Sequence, residues 1–368
     1  MKRTILVFFG IGLLAAFSRA EQMRTNPAQP LHRHPDRILK LTEVLRIPIE
    51  GEEYFYEGAR DVQLDNKGNL YICDSASSAR KSHLLKFSPD GRFLKDLYRQ
   101  GEGPGEIQST YDFAVNGSNV FLYDSMKRKI VVEDSDGNYK TQFNKEASPF
   151  DTFYGIYEEW LVFGRRIYPL ERKTSRLYDI KNAIILLSKD GKIEKEIGAF
   201  NNQMFFISLS QGGGMMSGDP FQAALGDDRM FNNLSQDYRI QILDLKSGKT
   251  AGQWTRDYPR IEHAEKDWEK KFVSQFNAPK RRFENDITDL LYGGGFLWVR
   301  TSTESKDKGL LYDLFDSQGR FVDSFFINIK GRVLRIAEGF LYASHYESDA
   351  EPVAALVKYR IGEALGGK

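Results

Sequence analysis

The stretch Asp61–Ser75, with the sequence DVQLDNKGNLYICDS, has the composition of a β-hairpin. An alternating strand, DVQL, leads into a polar turn that ends in glycine, and the apolar, aromatic strand LYICD follows. A second hairpin, HLLKFSPDGRFLKDLY, comes soon after it. The sequence therefore predicts four antiparallel strands between residues 61 and 98.

The apolar strand of this unit recurs along the chain. Six copies can be recognised, and they begin at Leu70, Val120, Leu161, Met230, Leu297 and Leu341. Their intervals fall in the range of a propeller blade, with two blades enlarged by insertions. Five copies are followed by a second hairpin, but the sixth is followed by one strand only, AALVKYRI, before the chain ends.

The strand that the sixth copy lacks is found near the N-terminus. In ILKLTEVLRIPIEG the apolar residues fall on one face at a period of two, at Leu39, Leu41, Leu45, Ile47 and Ile49. An N-terminal strand that completes the last blade closes the ring and removes exposed sheet edges. We therefore predict an all-β fold, a six-bladed β-propeller over residues 37–362 that is closed by an N-terminal strand.

The first twenty residues predict export. Lys2 and Arg3 precede the apolar run Ile5–Phe17, which is short for a membrane span, and Ser18-Arg19-Ala20 offers a cleavage site. We interpret 1–20 as a signal peptide, with a retained anchor as the alternative, and 21–36 as a flexible tether. The mature protein is then expected in the periplasm or outside the cell.

The composition narrows the class of partner. The formal net charge of +1 becomes −2 once the three basic residues of segment 1–20 are removed, so there is no bulk electrostatic reason to bind nucleic acid. Cys73 is the only cysteine, so an internal disulfide is excluded and a buried thiol is expected. We expect a monomer with no transmembrane segment after signal cleavage.

A glycine-rich segment, GEGPGE at residues 101–106, is not a nucleotide loop, because its spacing fits neither phosphate-binding motif. It lies between predicted blades one and two, where glycine and proline shape a crossing. With the strand pairs around it, residues 58–145 resemble NHL-repeat propellers, in particular secreted bacterial six-bladed propellers with a G-x-G-P-G-E segment. LVFGR and MFNNL, in blades three and four, lack the aspartate that ends the first two copies. The resemblance implies the fold and export but no reaction, because such propellers include binding modules, lyases and lactonases.

Loop length separates the two faces of the predicted ring. The hairpin turns, such as DNKG, SPDG and DSQG, are short, and they lie on the face that we call the short-turn face. The other connections are long and varied, and they lie on the opposite, long-loop face, where function is expected. One of them contains a helical insertion between blades four and five, whose apolar stripe, Ala264, Trp268, Phe272 and Phe276, is expected to pack on the propeller.

Two sets of polar residues are predicted on the long-loop face. Asp61, Asp112 and Asp289 begin inner strands, with Thr152 and Gln222 in equivalent places, and the three carboxylates could hold calcium at the channel mouth. The simpler interpretation is that each aspartate accepts hydrogen bonds within its own loop. The candidate ligand-binding residues, at the ends of second strands, are Asp74, Asp124, Arg165, Arg166, Thr301 and His345, and the two aspartates and two arginines are expected to be exposed. Hydrogen bonding within their own loops is the alternative interpretation.

Two functions remain open from the sequence. The first is a secreted, non-enzymatic binding module that takes a protein, small-molecule or carbohydrate ligand on its long-loop face. The alternative is a metal-dependent hydrolase or lyase, similar to a lactonase, that acts at the channel mouth. No cofactor is expected unless the three aspartates hold calcium. The sequence contains neither paired histidines at metal-ligand spacing nor a nucleophile elbow.

Overall fold

The computed structural model describes residues 22–32, 36–48, 58–75, 82–108, 110–145, 151–168, 174–208, 214–218, 221–346, 354–363 and 365. The predicted signal peptide, 1–20, lies outside these residues. Two N-terminal strands, β1 (Gln22–Asn26) and β2 (Leu41–Ile47), precede the blades.

The strands that follow form six sheets in chain order. Blade one contains β3 (Ala59–Leu64), β4 (Leu70–Ser75), β5 (Ser82–Phe87) and β6 (Phe93–Asp96). Blade two contains β7 (Thr110–Asn116), β8 (Asn119–Asp124), β9 (Lys129–Asp134) and β10 (Tyr139–Asn144). Blade three contains β11 (Thr152–Tyr157), β12 (Trp160–Ile167), β13 (Arg176–Ser188), β14 (Glu194–Ser208) and β15 (Gly214–Gly218).

The second half continues this order. Blade four contains β16 (Gln222–Leu225), β17 (Arg229–Asn233), β18 (Arg239–Asp244) and β19 (Thr250–Arg256), and the helix α1 (Asp267–Phe276) follows it. Blade five contains β20 (Ile287–Gly293), β21 (Phe296–Ser305), β22 (Gly309–Phe315) and β23 (Phe321–Ile327). Blade six contains β24 (Gly331–Ala337), β25 (Phe340–Tyr346) and β26 (Ala354–Ile361).

The six sheets form a ring. The first strand of each blade contacts the first strands of its neighbours, so β3, β7, β11, β16, β20 and β24 surround the central channel. Apolar side chains fill the space between blades. The six residues with which the recurring strand begins are each at most 1% exposed, and they are Leu70, Val120, Leu161, Met230, Leu297 and Leu341. The prediction of an all-β, six-bladed propeller is confirmed.

Blade six is completed from the N-terminus, as predicted. Strand β2 pairs antiparallel with β26, in a register that places Ile47 opposite Leu356 and Leu41 opposite Ile361. Ile47 is fully buried in a cluster that includes Leu356 and Tyr342. The alternating pattern of the segment therefore has a simple cause, because one face of β2 covers the core of the last blade.

The described residues before β2 overlap the predicted tether, 21–36, and include a paired strand. Strand β1 pairs in parallel with β19 at the outer edge of blade four, and the backbone N–H of Leu31 donates to the carbonyl of Phe321 in blade five. The side chain of Asn26 is buried, donates to the carbonyls of Thr255 and Gly319, and accepts from the N–H of Phe321. Residues 22–32 and 36–48, here called the N-terminal strap, thus contact the outer edges of blades four, five and six.

Blade three extends beyond the others on the long-loop face. Strands β13 and β14 have 13 and 15 residues, and β15 adds a fifth strand. Phe205 and Ile207 of β14 are buried together with Ala278, and Phe272 and Phe276 of α1 pack against them. The helical insertion therefore packs on the propeller and lies between blades four and five in the chain, as predicted.

The predicted stripe of the helix is wrong at its N-terminal end. Helix α1 begins at Asp267, so Ala264 precedes it, and the Trp268 side chain in its first turn is 62% exposed. Val273 instead joins Phe272 and Phe276 against β14. The spacing of four indicated the helix but could not show how much of its length lies against the sheet.

The GEGPGE segment connects β6 to β7, as expected of a crossing between blades. Its ends are joined, because the N–H of Ile107 donates to the carbonyl of Arg99 over 2.8 Å. The side chain of Glu106 accepts from the N–H of Gly103 over 2.8 Å. Gly105 has φ +77°, and a Cβ atom there would lie 2.9 Å from the ring of Tyr139, so glycine is required by both conformation and space.

Candidate ligand-binding face at the channel mouth

Six residues occupy equivalent positions where the inner strands begin. The strand register places them opposite Cys73, Tyr123, Gly164, Asn233, Arg300 and Ser344 of the second strands. They are Asp61, Asp112, Thr152, Gln222, Asp289 and Arg332, here called the channel-mouth ring. The five positions predicted from the repeat therefore occupy equivalent places in their blades.

The sixth position, Arg332, was missed by sequence reasoning. It lies nine residues before Leu341, and the other five ring residues lie eight or nine residues before the first residue of their own recurring strand. A search of the sequence at this spacing identifies Arg332 as the sixth position. A β-bulge ends at the ring residue in three inner strands, those of Asp61, Asp112 and Asp289, and a bulge changes the direction of the side chains beside it.

Asp61 and Asp112 form the acidic side of the ring. Asp61 accepts from the N–H of Val62 over 2.8 Å and from the side chain of Gln63 over 3.2 Å. Burial raises the pKa of Asp61, and the charges of Arg335 and Arg332 partly oppose this shift. Burial likewise raises the pKa of Asp112 to about 6, and the negative charge of Asp61 adds to the rise.

Asp112 also connects blades two and three, because its Oδ2 accepts from the N–H of Phe153 over 3.2 Å. Blades one and two are joined similarly. The side-chain amide of Gln63 donates to the carbonyl of Phe113 over 2.7 Å and accepts from the N–H of Val115 over 3.1 Å. The acidic side of the ring is thus held in place by the neighbouring inner strands.

Asp289 has a different environment. It is 6% exposed, accepts from the N–H of Leu290 over 3.0 Å, and lies 3.3 Å from Nε of Arg332. The structure therefore pairs the third predicted carboxylate with a guanidinium of the ring. In the described part of the chain, no three His, Cys, Asp or Glu side chains are grouped so as to hold a metal ion. Asp61, Asp112 and Asp289 share a ring but not a metal-binding cluster.

Asp74 and Asp124 were expected to be exposed, and this is wrong. Both are fully buried. Asp74 accepts from the N–H of Gly58 over 2.8 Å, and Asp124 accepts from the N–H groups of Gln108 and Lys127 over 2.9 and 3.1 Å. Each carboxylate accepts from a backbone N–H just before the inner strand of its own blade, and so holds the loop that enters that strand.

The other predicted ligand-binding residues have mixed environments. Arg165 lies 3.3 Å from Asp151 and 2.8 Å from Glu194, so its charge is already paired. Thr301 is 1% exposed and donates to the carbonyl of Leu311, which satisfies its hydroxyl within the sheet.

Two of the predicted residues are partly accessible. The guanidinium of Arg166 lies 5.0 Å from the ring centre of Phe221. His345 is half-buried and pairs with Gly331 in the register of blade six. The structure does not assemble all six predicted residues into one surface, because four of them already serve the loops and sheets around them.

The hairpin turns of the opposite face repeat one arrangement. Asp65, Asp134 and Asp316 each accept two backbone N–H groups of their own turn through Oδ1, from the residues two and four positions later. These aspartates explain the recurrent polar turn in the sequence, since each one closes a hairpin.

Because the pKa of Asp112 is raised in the folded protein, the free energy of unfolding should depend on its protonation. Its stabilising contribution is complete below pH ~3.9, the ordinary value of an aspartate, and is lost as pH rises through about 6. Asp112→Asn should therefore raise the free energy of unfolding by about 1–2 kcal/mol at pH 7.5 and leave it nearly unchanged at pH 4. Urea unfolding at both pH values measures this, with Asp136→Asn on an exposed hairpin as the control for loss of one charge. Equal effects of Asp112→Asn at the two pH values would contradict the raised pKa.

Fold and site together define an all-β, six-bladed propeller with a charged channel mouth. Comparison with known families agrees, since residues 41–212 match the DUF5128 family model, described as a 6-bladed beta-propeller. This match covers somewhat less than half of the chain. No curated protein matches the sequence. No helix among the described residues is long and apolar enough to cross a membrane.

Solved structures share the fold at low sequence identity. A protein of Bacteroides fragilis that is described as exported is 14% identical, with a TM-score of 0.56 over 93% of this chain and 100% of its own. A DUF4221 family member from Bacteroides vulgatus is 11% identical, with a TM-score of 0.54 over 89% of this chain and 99% of its own. A gluconolactonase from Xanthomonas campestris is 11% identical, with a TM-score of 0.43 over 83% of this chain and 88% of its own, which is too distant to bear on function.

Proposed function

We propose that this protein is an exported, non-enzymatic binding module whose long-loop face takes a polar ligand at the channel mouth, with carbohydrate as the favoured class. The observation that carries the proposal is the pair of carboxyl groups, Asp61 and Asp112, whose pKa values are raised by burial beside the guanidinium groups of Arg332 and Arg335. Perturbed pKa values of this kind concentrate at functional sites.

The chemistry of the pair suits a hydroxyl-rich ligand. With a pKa of about 6, Asp112 is mostly ionised at neutral pH and accepts hydrogen bonds, and near pH 6 it also carries a proton that it can donate. Arginine adds donors on the other side of the ring, and a sugar hydroxyl both donates and accepts. Arg166 above Phe221 and the extended strands of blade three supply further contact surface on the same face.

Export is supported by the N-terminal sequence of the chain and by the description of one structural neighbour as exported. The hydrolase or lyase alternative requires metal ligands at the channel mouth. Its three candidate carboxylates do not form such a set, and Asp289 is paired with Arg332. We therefore propose no second function.

Binding to a panel of soluble oligosaccharides, measured by calorimetry, tests the proposal. Asp61→Asn with Asp112→Asn should weaken the tightest ligand at least tenfold, since a hydrogen bond to a charged group contributes about 1.5–3 kcal/mol. Lys67→Glu with Lys192→Glu, in short turns of the opposite face, should leave the affinity unchanged. Loss of binding in the lysine variant but not in the aspartate variant would place the ligand site on the short-turn face and contradict the proposal.

A further inference from the structure

A depression of about 750 Å³ opens on the short-turn face, over the hairpins of blade four. Blade four has the shortest inner hairpin of the described blades, with four residues in β16 and five in β17. The hairpins of blades three and five form its walls, through Tyr157 and Glu158 on one side and Tyr292 and Ser317 on the other. We call this depression the blade-four groove.

The base of the groove is aromatic. Phe231 of β17 and Tyr292 of β20 are stacked, with ring centres 5.8 Å apart and planes inclined by 15°. Tyr157 contributes a third ring from blade three. Phe231 and Tyr157 are 2% and 8% exposed, so the half-buried ring of Tyr292 offers the accessible aromatic surface, and the face of such a ring attracts cations.

The rim of the groove is acidic. Four carboxylates, of Glu158, Asp227, Asp228 and Asp244, face two cations, of Arg229 and Lys246, which leaves a formal charge of −2 on the lining. Arg229 is already engaged, because it donates to the carbonyl of Ser317 over 2.6 Å and lies 3.4 Å from Asp228.

Asp227 is fixed at the rim by a neighbouring blade. Its Oδ2 accepts from the hydroxyl of Tyr292 over 2.9 Å, and the rest of the exposed carboxylate remains open to solvent. Burial, then the hydrogen bond to Asp227 and the charges of Asp227 and Asp228, raise the pKa of Tyr292 to about 12, so the phenol keeps its proton and continues to donate to Asp227.

We propose that the blade-four groove binds a polypeptide segment of a partner protein through its lysine or arginine side chains. The volume lies within the range of ligand sites, ~300–1,000 Å³. Because the lining reaches from blade three to blade five, it can hold an extended segment in which one basic side chain contacts the aromatic base and others meet the rim. Ammonium and guanidinium groups form their strongest hydrogen bonds with carboxylates, which the rim supplies.

An acetylated, amidated pentalysine peptide with a fluorescent label is the probe, and anisotropy at low salt is the measurement. The parent protein should bind it, and Asp227→Asn with Asp228→Asn should weaken binding at least tenfold by neutralising the rim. Both substitutions affect exposed residues, and asparagine can still accept from Tyr292, so the fold should be retained. Asp90→Asn with Asp136→Asn removes the same charge from hairpins of blades one and two and should change the affinity less than twofold.

Three outcomes would overturn the inference. The first is failure of the parent protein to bind pentalysine at low salt. The second is equal weakening by the two double variants, because the peptide would then respond to overall charge and not to the groove. The third is equally tight binding of labelled N-acetyl-lysine amide, because a single amine would then suffice without a polypeptide segment. The variants of the channel-mouth ring should bind pentalysine normally, so this test is independent of the ligand on the opposite face.

Discussion

A chain that begins at residue 49 is expected to be unfolded at 37 °C, so that its thermal melt shows no cooperative transition above this temperature. It lacks β2, so β26 loses its partner and the outer edge of blade six is left unpaired. Leu39 and Ile47, which are 2% and 0% exposed, leave the core as well, and removal of such side chains costs about 2–5 kcal/mol each. Because the net stability of a domain is only about 5–15 kcal/mol, the loss approaches the whole of it. Thermal unfolding followed by circular dichroism measures the effect, with a chain that begins at residue 21 as the reference.

A chain that begins at residue 37 separates the two parts of the strap. It keeps β2 and lacks β1, so it should fold and melt at a lower temperature than the longer chain. Asn26→Ala in the longer chain should account for about 1–3 kcal/mol of that loss, because it leaves buried backbone groups without partners. If the chain that begins at residue 49 melts like the longest one, β2 does not close the ring.

These truncations also mark the limit of sequence-based prediction at the N-terminus. β2 could be predicted because its apolar residues alternate and one face of the strand is buried. β1, with the sequence QMRTN, has no such pattern. It is held by parallel backbone pairing with β19 and by the amide of Asn26, and neither leaves a periodic trace in the sequence.

The candidate site, too, could be predicted from the sequence only in part. The repeat predicted where Asp61, Asp112 and Asp289 lie, because equivalent positions in successive hairpins meet at the same end of the channel. It could not predict their partners. Whether an aspartate at the end of a strand faces solvent or folds back onto its own loop depends on the path of that loop, and for Asp74 and Asp124 the loop returns to the carboxylate.

Asp313→Leu is expected to lower the free energy of unfolding by about 3–5 kcal/mol, because it leaves the buried guanidinium of Arg256 without its carboxylate. Asp313 is fully buried in β22, and Arg256 is the last residue of β19, so the pair joins blades four and five. The hydroxyls of Tyr238 and Ser324 also donate to Asp313, over 2.7 and 2.8 Å. Urea unfolding of the single variant and its parent measures the change.

The double variant Arg256→Met with Asp313→Leu distinguishes the charge from the hydrogen bonds. An apolar pair of similar volume often replaces a buried ion pair with little loss, so most of the stability should return. The guanidinium lies 4.5 Å from the ring centre of Phe321, a surface on which a methionine side chain can pack. Recovery of stability would show that the unpaired guanidinium of Arg256 causes the loss of stability in the single variant. Equal destabilisation in the single and double variants would instead assign the cost to the hydroxyls of Tyr238 and Ser324, and the ion pair would then contribute little to holding blades four and five together.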